Sequence, residues 1–290
     1  MEKERTTIPR QEAPKENLEV VLSNIMTAKE YATRQHETPY VFALKGAGKE
    51  LRYFGAPHER DPKNPLFQEI ETAFKEARPD IIFVEGINVQ EDLDRFNEQV
   101  RNATPEMVIE RLGESGFILK LGLEKGIEWR SPEPTDEELY NFLLTQGFSK
   151  DQIFAWDVFQ ILPQYQRQVN KLSFKEYIAG FIDRFQQATG WEGFDYSYEH
   201  AIRLGEQILG QSIDVEDEPT AQDFIDPIPW EEKKDKQTVL NRIGEASSLF
   251  RDRQIVSEIA DALTTHKRIF IVYGASHAVM QEPALRKLSL

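Results

Sequence analysis

Arg268-Ile269-Phe270-Ile271-Val272-Tyr273-Gly274-Ala275-Ser276-His277 is the stretch on which the reading of this chain turns. Its unbroken apolar and aromatic run predicts a strand buried on both faces, and the glycine after it turns the chain toward a histidine. Working outward, Gly55-Ala56-Pro57-His58 repeats the ending after a second strand-like run, Leu51-Arg52-Tyr53-Phe54. A strand that ends in Gly-x-x-His sets an imidazole just past its carboxyl end, where α/β proteins bind their ligands. The chain has only five His, and two of them hold matching positions. Imidazole is the usual acid, base and metal ligand near neutral pH, so this pair is the first candidate for chemistry.

Between the two motifs the pattern alternates. Tyr40-Val41-Phe42-Ala43-Leu44 and the run to Phe54 flank Lys45-Gly46-Ala47-Gly48-Lys49, which reads as a β-hairpin. Pro65 opens a helix that ends near Arg78-Pro79, and Asp80-Ile81-Ile82-Phe83-Val84-Glu85-Gly86 follows as another buried strand stopped by an acid. Residues 105–125 read as a helix, and Gly126-Ile127-Glu128-Trp129-Arg130-Ser131 as a strand that Pro132-Glu133-Pro134 closes. Alternating strands and helices predict an α/β fold: a mainly parallel central sheet with an N-terminal β-hairpin and flanking helices.

A helical block interrupts that alternation. Thr135-Asp136-Glu137-Glu138 has the form of a capping box, and helices are expected over 154–172, from Ser173 to Ala188, and up to about Leu209. The domain reading is an N-terminal arm over 1–16 and one α/β domain over 17–290, with a helical insertion at about 135–210. A helix is expected from Leu18 to about Gln35, a long acidic loop from Asp214 to Trp230, and a helix from Lys236 to Thr265. The aromatic loop Trp191 to Tyr198 is expected to pack rather than to line a pocket.

Composition narrows the function. A formal charge of −15 opposes nucleic acid and anionic membrane surfaces as partners. The absence of Cys removes disulfides, thiolate nucleophiles and Cys-ligated zinc, so a metal site would need His and carboxylates. No secretory signal or apolar run of spanning length is read, and the expected location is cytoplasmic. The chain has no phosphate-cradling Gly-x-x-x-x-Gly-Lys loop, no His-Glu-x-x-His and no Gly-x-Ser-x-Gly.

Four polar groups are expected at strand carboxyl ends: His58, Glu85, Glu133 and His277. If the strands are neighbours, these converge on one edge of the sheet. His58, Glu85, His277 and Glu133 suit a divalent metal such as Mn, Co, Zn or Fe. The same groups without metal would hold a water for general-base attack, with Arg251, Arg253, Arg60 or Arg130 to steady the oxyanion.

The order of these motifs resembles the superfamily that joins the TraB/PrgY and TIKI proteins with the erythromycin-esterase-like and ChaN-like proteins. The resemblance covers about 50–90 and 245–290. It implies an α/β core whose site is built from both Gly-x-x-His segments and the acid after the buried strand, and by position His58, Glu85, Arg251 and His277 match. In the TIKI branch the site resembles a metal-dependent peptidase, and in the erythromycin-esterase-like branch a His activates water without metal. The esterase-like branch carries an acid inside its first motif, where this chain has Ala56 and Pro57. The expected activity is hydrolysis of a peptide or ester, or else binding of a metal or small ligand without turnover.

Overall fold

A computed structural model describes residues 15–87, 92–166, 172–216, 221–226, 237–288 and 290. In chain order the elements are α1 (Lys15–Leu22), α2 (Ala28–Tyr31), β1 (Tyr40–Gly46), β2 (Lys49–Ala56), α3 (Leu66–Ala77), β3 (Ile81–Val84), α4 (Leu93–Asn102), α5 (Pro105–Glu124) and β4 (Glu128–Arg130). They continue as α6 (Asp136–Thr145), α7 (Lys150–Phe159), α8 (Leu162–Gln166), α9 (Phe174–Thr189), α10 (Tyr198–Leu209), α11 (Ala221–Ile225), α12 (Val239–Thr265), β5 (Arg268–Gly274) and α13 (Ala275–Leu285). The fold is α/β, with one mixed five-stranded sheet in the order β1-β2-β5-β3-β4. β1 and β2 are antiparallel and the other pairings are parallel.

Contacts divide the chain into two compact units. The first holds Met1–Met26, His36–Pro132 and Arg253–Leu290, and the second Thr27–Gln35 and Glu133–Asp252.

In the first unit the central strands β3 and β5 are buried on both faces, as their apolar runs require. Along β5, Ile269, Ile271 and Tyr273 join α1, α13 and the end of α12 on one side. Phe270 and Val272 join α3 and α5 on the other. β3 divides in the same way, Ile81 and Phe83 against Ile82 and Val84, and all four are fully buried. Each such side chain stabilises the fold by about 1.5–3 kcal/mol on removal from water. The hairpin turns on Ala47 and Gly48, both at positive φ, which matches the twist of its strands.

The second unit is helical around an aromatic-rich core that includes Phe154, Phe159, Tyr165, Phe174 and Phe185. The expected capping box at Thr135 is formed, and another closes the start of α9 at Ser173. The loop from Trp191 packs on this core: Phe194 meets Phe154 edge-on, and the Tyr196 hydroxyl accepts from the Trp191 backbone N–H at 2.7 Å. One carboxylate is buried here. Asp157 Oδ1 accepts from the Tyr140 hydroxyl at 2.7 Å and from Gln160 Nε2 at 2.8 Å. Burial pushes the Asp157 carboxyl up to about 7, and burial beside Asp157 raises the Tyr140 hydroxyl strongly.

Several boundaries differ from expectation. The helix read from Leu18 to Gln35 breaks after Leu22, where Ser23 and Asn24 side chains donate to the Val20 carbonyl and Thr27 begins a new cap. The helix expected over 154–172 is α7 and α8, with 167–171 outside the described residues. Within the acidic stretch 214–230, α11 is helical, and 217–220 and 227–230 lie outside the described residues, as do 1–14 of the N-terminal arm and Lys236.

Candidate functional site

Register brings the first unit's motifs to one edge of the sheet. Ala56 at the end of β2 pairs with Gly274 at the end of β5, and Val84 at the end of β3 pairs with Val272. β5 lies between the other two, so His58, Glu85 and His277 all follow the carboxyl ends of adjoining strands.

Each of the two motif glycines has its own steric reason. A Cβ on Gly55 would stand 2.7 Å from Ala278 Cβ and 2.8 Å from the Tyr40 carbonyl oxygen, so its absence lets α13 start directly against β2. A Cβ on Gly274 would meet no such wall. It would point into the site, 3.4 Å from Glu85 Oε2 and 3.5 Å from His58 Nε2. Those two polar atoms therefore flank one small space above Gly274.

Glu85 is fixed by backbone. Its Oε2 accepts the Gly274 N–H at 2.6 Å, the bond that a glutamate in the first turn makes within a capping box, supplied here from another strand. A carboxylate at the start of α13 is also favoured by the helix dipole. Glu85 Oε1 lies 3.7 Å from His277 Nε2. His277 is buried in the first turn of α13, edge-on to Tyr273. The chain beyond Glu85 is held where the Ile87 N–H donates to Ser131 Oγ at 3.2 Å.

The residue that the motifs do not reveal is Glu114. His58 Nδ1 lies 2.8 Å from Glu114 Oε1, and the Glu59 N–H donates to Glu114 Oε2 at 3.2 Å. The His58 side chain is 73% exposed and that of Glu114 only 6%. A carboxylate accepts hydrogen bonds and does not donate them, so Nδ1 carries the proton it shares with Glu114, and Nε2 lies toward the space above Gly274. Glu114 comes this close because α5 kinks at Gly113, where φ is 60° and ψ is −146°. That conformation is open almost only to glycine, and the Glu59 carbonyl lies 3.0 Å from where a Cβ would stand.

Glu133 and Arg251 belong to the second unit, where Arg251 donates to Glu133 Oε2 at 3.0 Å. Arg253 is in the first unit and pairs with Glu19 at 2.6 Å. Arg130, the last residue of β4, lies among Glu128, Glu258 and Asp261. A cavity of about 610 Å³ opens at the opposite end of the sheet, where β2 and β5 begin, lined by Glu50, Glu76, Lys75, Arg78 and Arg268. Its charges are mixed and no imidazole faces it, so the chemistry is assigned to the Gly274 edge.

His58, Glu85 and His277 have the donor chemistry for a divalent ion. Among the described residues, no three His, Asp or Glu side chains form a group ready to hold one. No helix of the described residues is long and apolar enough to cross a membrane. Compared with protein-family models, curated proteins and solved structures, the chain gives no match.

Proposed function

We propose that this protein is a hydrolase of esters or peptides in which His58 is the general base. The observation that carries the reading is the Glu114–His58 pair, with Nε2 turned to the same small space as Glu85. A base oriented by a second group, next to room for a reacting water, is the arrangement general-base catalysis requires. A water between His58 Nε2 and Glu85 gives its proton to Nε2 as its oxygen attacks the substrate carbonyl. The imidazolium, steadied by Glu114, then delivers that proton to the leaving oxygen or nitrogen. The products are an acid and an alcohol or amine. Backbone N–H groups of the first turn of α13 have no partners within the helix and suit the oxyanion. The paired Gly-x-x-His motifs support kinship with the TraB/TIKI and erythromycin-esterase-like superfamily.

A divalent metal is the second reading. It is favoured by Glu114 on Nδ1 of His58, the outer partner that metal-bound imidazoles usually have. His58 and His277 through Nε2, together with Glu85, would hold the ion, which would supply Lewis acidity and a more acidic water.

The test is His58→Ala against a panel of para-nitrophenyl esters and peptides. Because the ring is mostly exposed, the fold should survive while turnover falls by about 10²- to 10⁴-fold. Wild-type turnover retained in a folded His58→Ala protein would sink the reading. Tight binding of a panel member with no turnover by wild type would point to a binding protein instead.

A further inference from the structure

The loop after His58 is tied down as firmly as the imidazole. Glu59 accepts from the Arg60 N–H at 2.7 Å, the Asp61 N–H at 2.8 Å and Asn64 Nδ2 at 2.5 Å. Asp61 accepts from the Lys63 N–H at 3.0 Å, and Asn64 Oδ1 from the Leu66 N–H at 3.0 Å. The loop's acids are therefore engaged with its own backbone and with Asn64. Arg60 runs past the kink of α5, its Cγ 3.9 Å from the Cβ position of Gly113. Neighbouring residues of α5 thus face both side chains, Glu114 holding His58 and Gly113 leaving room for the stem of Arg60.

Among the described residues the Arg60 guanidinium has no ion-pair partner, whereas Arg52, Arg130, Arg184, Arg251 and Arg286 each lie against a carboxylate. Other arginines lack one as well, Arg78, Arg95, Arg111 and Arg268 among them, but Arg60 alone lies in the loop that follows His58. In a chain with 50 Asp and Glu against 35 Lys and Arg, an exposed guanidinium without a carboxylate, two residues past the base, is available to a ligand. Glu85 and Glu114 repel an anion from this edge, so an anionic substrate needs a local cation to hold it. A guanidinium fork matches a carboxylate with two parallel hydrogen bonds.

We propose that Arg60 selects the substrate by binding a free carboxylate on it, so that the preferred substrates are esters or amides of carboxylate-bearing compounds. This rests on the hydrolase reading above. The test compares para-nitrophenyl acetate with the para-nitrophenyl hemiester of succinate, in wild type and in Arg60→Gln. The wild type should favour the hemiester, and Arg60→Gln should lower that preference in kcat/KM by about 10- to 100-fold, chiefly through KM. Equal losses on both esters would make Arg60 an oxyanion group and overturn the proposal, as would no change in preference. Calorimetry with succinate separates the two readings. Succinate should bind to wild type and to His58→Ala, weaken with salt, and fail to bind to Arg60→Gln. Succinate binding through Arg60 without hydrolysis of either ester would sink the hydrolase reading and leave the anion site standing. Hydrolysis of both esters with no succinate binding would do the reverse.

Discussion

Glu114 stands 56 residues beyond His58 in the chain and meets its Nδ1 at 2.8 Å, so an exposed ring is oriented by an acid buried in a helix. The same carboxylate receives the Glu59 N–H, and one buried group thereby fixes both the imidazole and the loop that follows it.

Glu114→Gln should expose that double duty. An amide has one accepting oxygen where the carboxylate has two, so either His58 Nδ1–H or the Glu59 N–H is left facing an NH₂ group. Turnover should fall by about 10- to 100-fold, as for other groups that orient a reactive His. Stability should fall by about 1–3 kcal/mol. Steady-state kinetics and thermal melting on one preparation check both, and unchanged kcat would remove Glu114 from the mechanism.

The motif glycines should separate stability from activity. Gly55→Ala pushes a methyl to 2.7 Å from Ala278 Cβ and 2.8 Å from the Tyr40 carbonyl. It should cost about 1–3 kcal/mol, read as a lowered melting temperature. Gly274→Ala fits sterically but fills the space between Glu85 Oε2 and His58 Nε2. Melting should hold while hydrolysis is lost. A fully active Gly274→Ala protein would mean that the reacting water does not stand there.

Asp157 gives the second unit a pH-dependent stability. Its carboxyl is at about 7 when folded, against an ordinary value of 3.8, so the folded state binds the proton more tightly. The stabilisation is complete below about pH 4, declines as pH rises toward 7, and is flat above, with a steepest slope on the order of 1.4 kcal/mol per pH unit. Asp157→Asn keeps an acceptor for Tyr140 and Gln160, because both bond to Oδ1. It should remove this slope and raise the melting temperature at pH 8. Identical pH profiles of denaturant unfolding for the two proteins would show that the acid is not neutral in the fold.

Turnover by His58 and Glu114 alone should survive dialysis against a chelator. Elemental analysis decides the alternative. Near-stoichiometric Mn, Co, Zn or Fe in wild type, absent from both His58→Ala and His277→Ala, would assign the metal reading.

The strands of the first unit were legible because a strand covered on both faces must be apolar at every position, as Ile81–Val84 and Ile269–Tyr273 are. Their order across the sheet was not. Nothing in the run from Arg268 says that it lies between β2 and β3, although the convergence of His58, Glu85 and His277 depends on it. α4 escaped notice because Leu93–Asn102 is mostly polar and buries only Val100. Glu114 was hidden by its helix, whose apolar spacing absorbs one acid without remark. A usable signal was present all the same: an acid directly after a glycine, amid Val108, Ile109, Phe117, Ile118 and Leu119 on a buried stretch. Glu133 and Arg251 were singled out by sequence, and their ion pair with each other required the structure.

The central position of β5 bears on how the protein is made. β2 and β3 do not touch each other in the sheet; each borders β5, which is synthesised after all the other strands. Until residues 268–274 have left the ribosome, the nascent chain carries two strands that each lack this neighbour, and exposed strand edges invite pairing with other chains. Chaperone demand should therefore peak late in translation, and a stop codon placed just before Arg268 should yield an insoluble product in which the edge that gathers His58 and Glu85 never assembles.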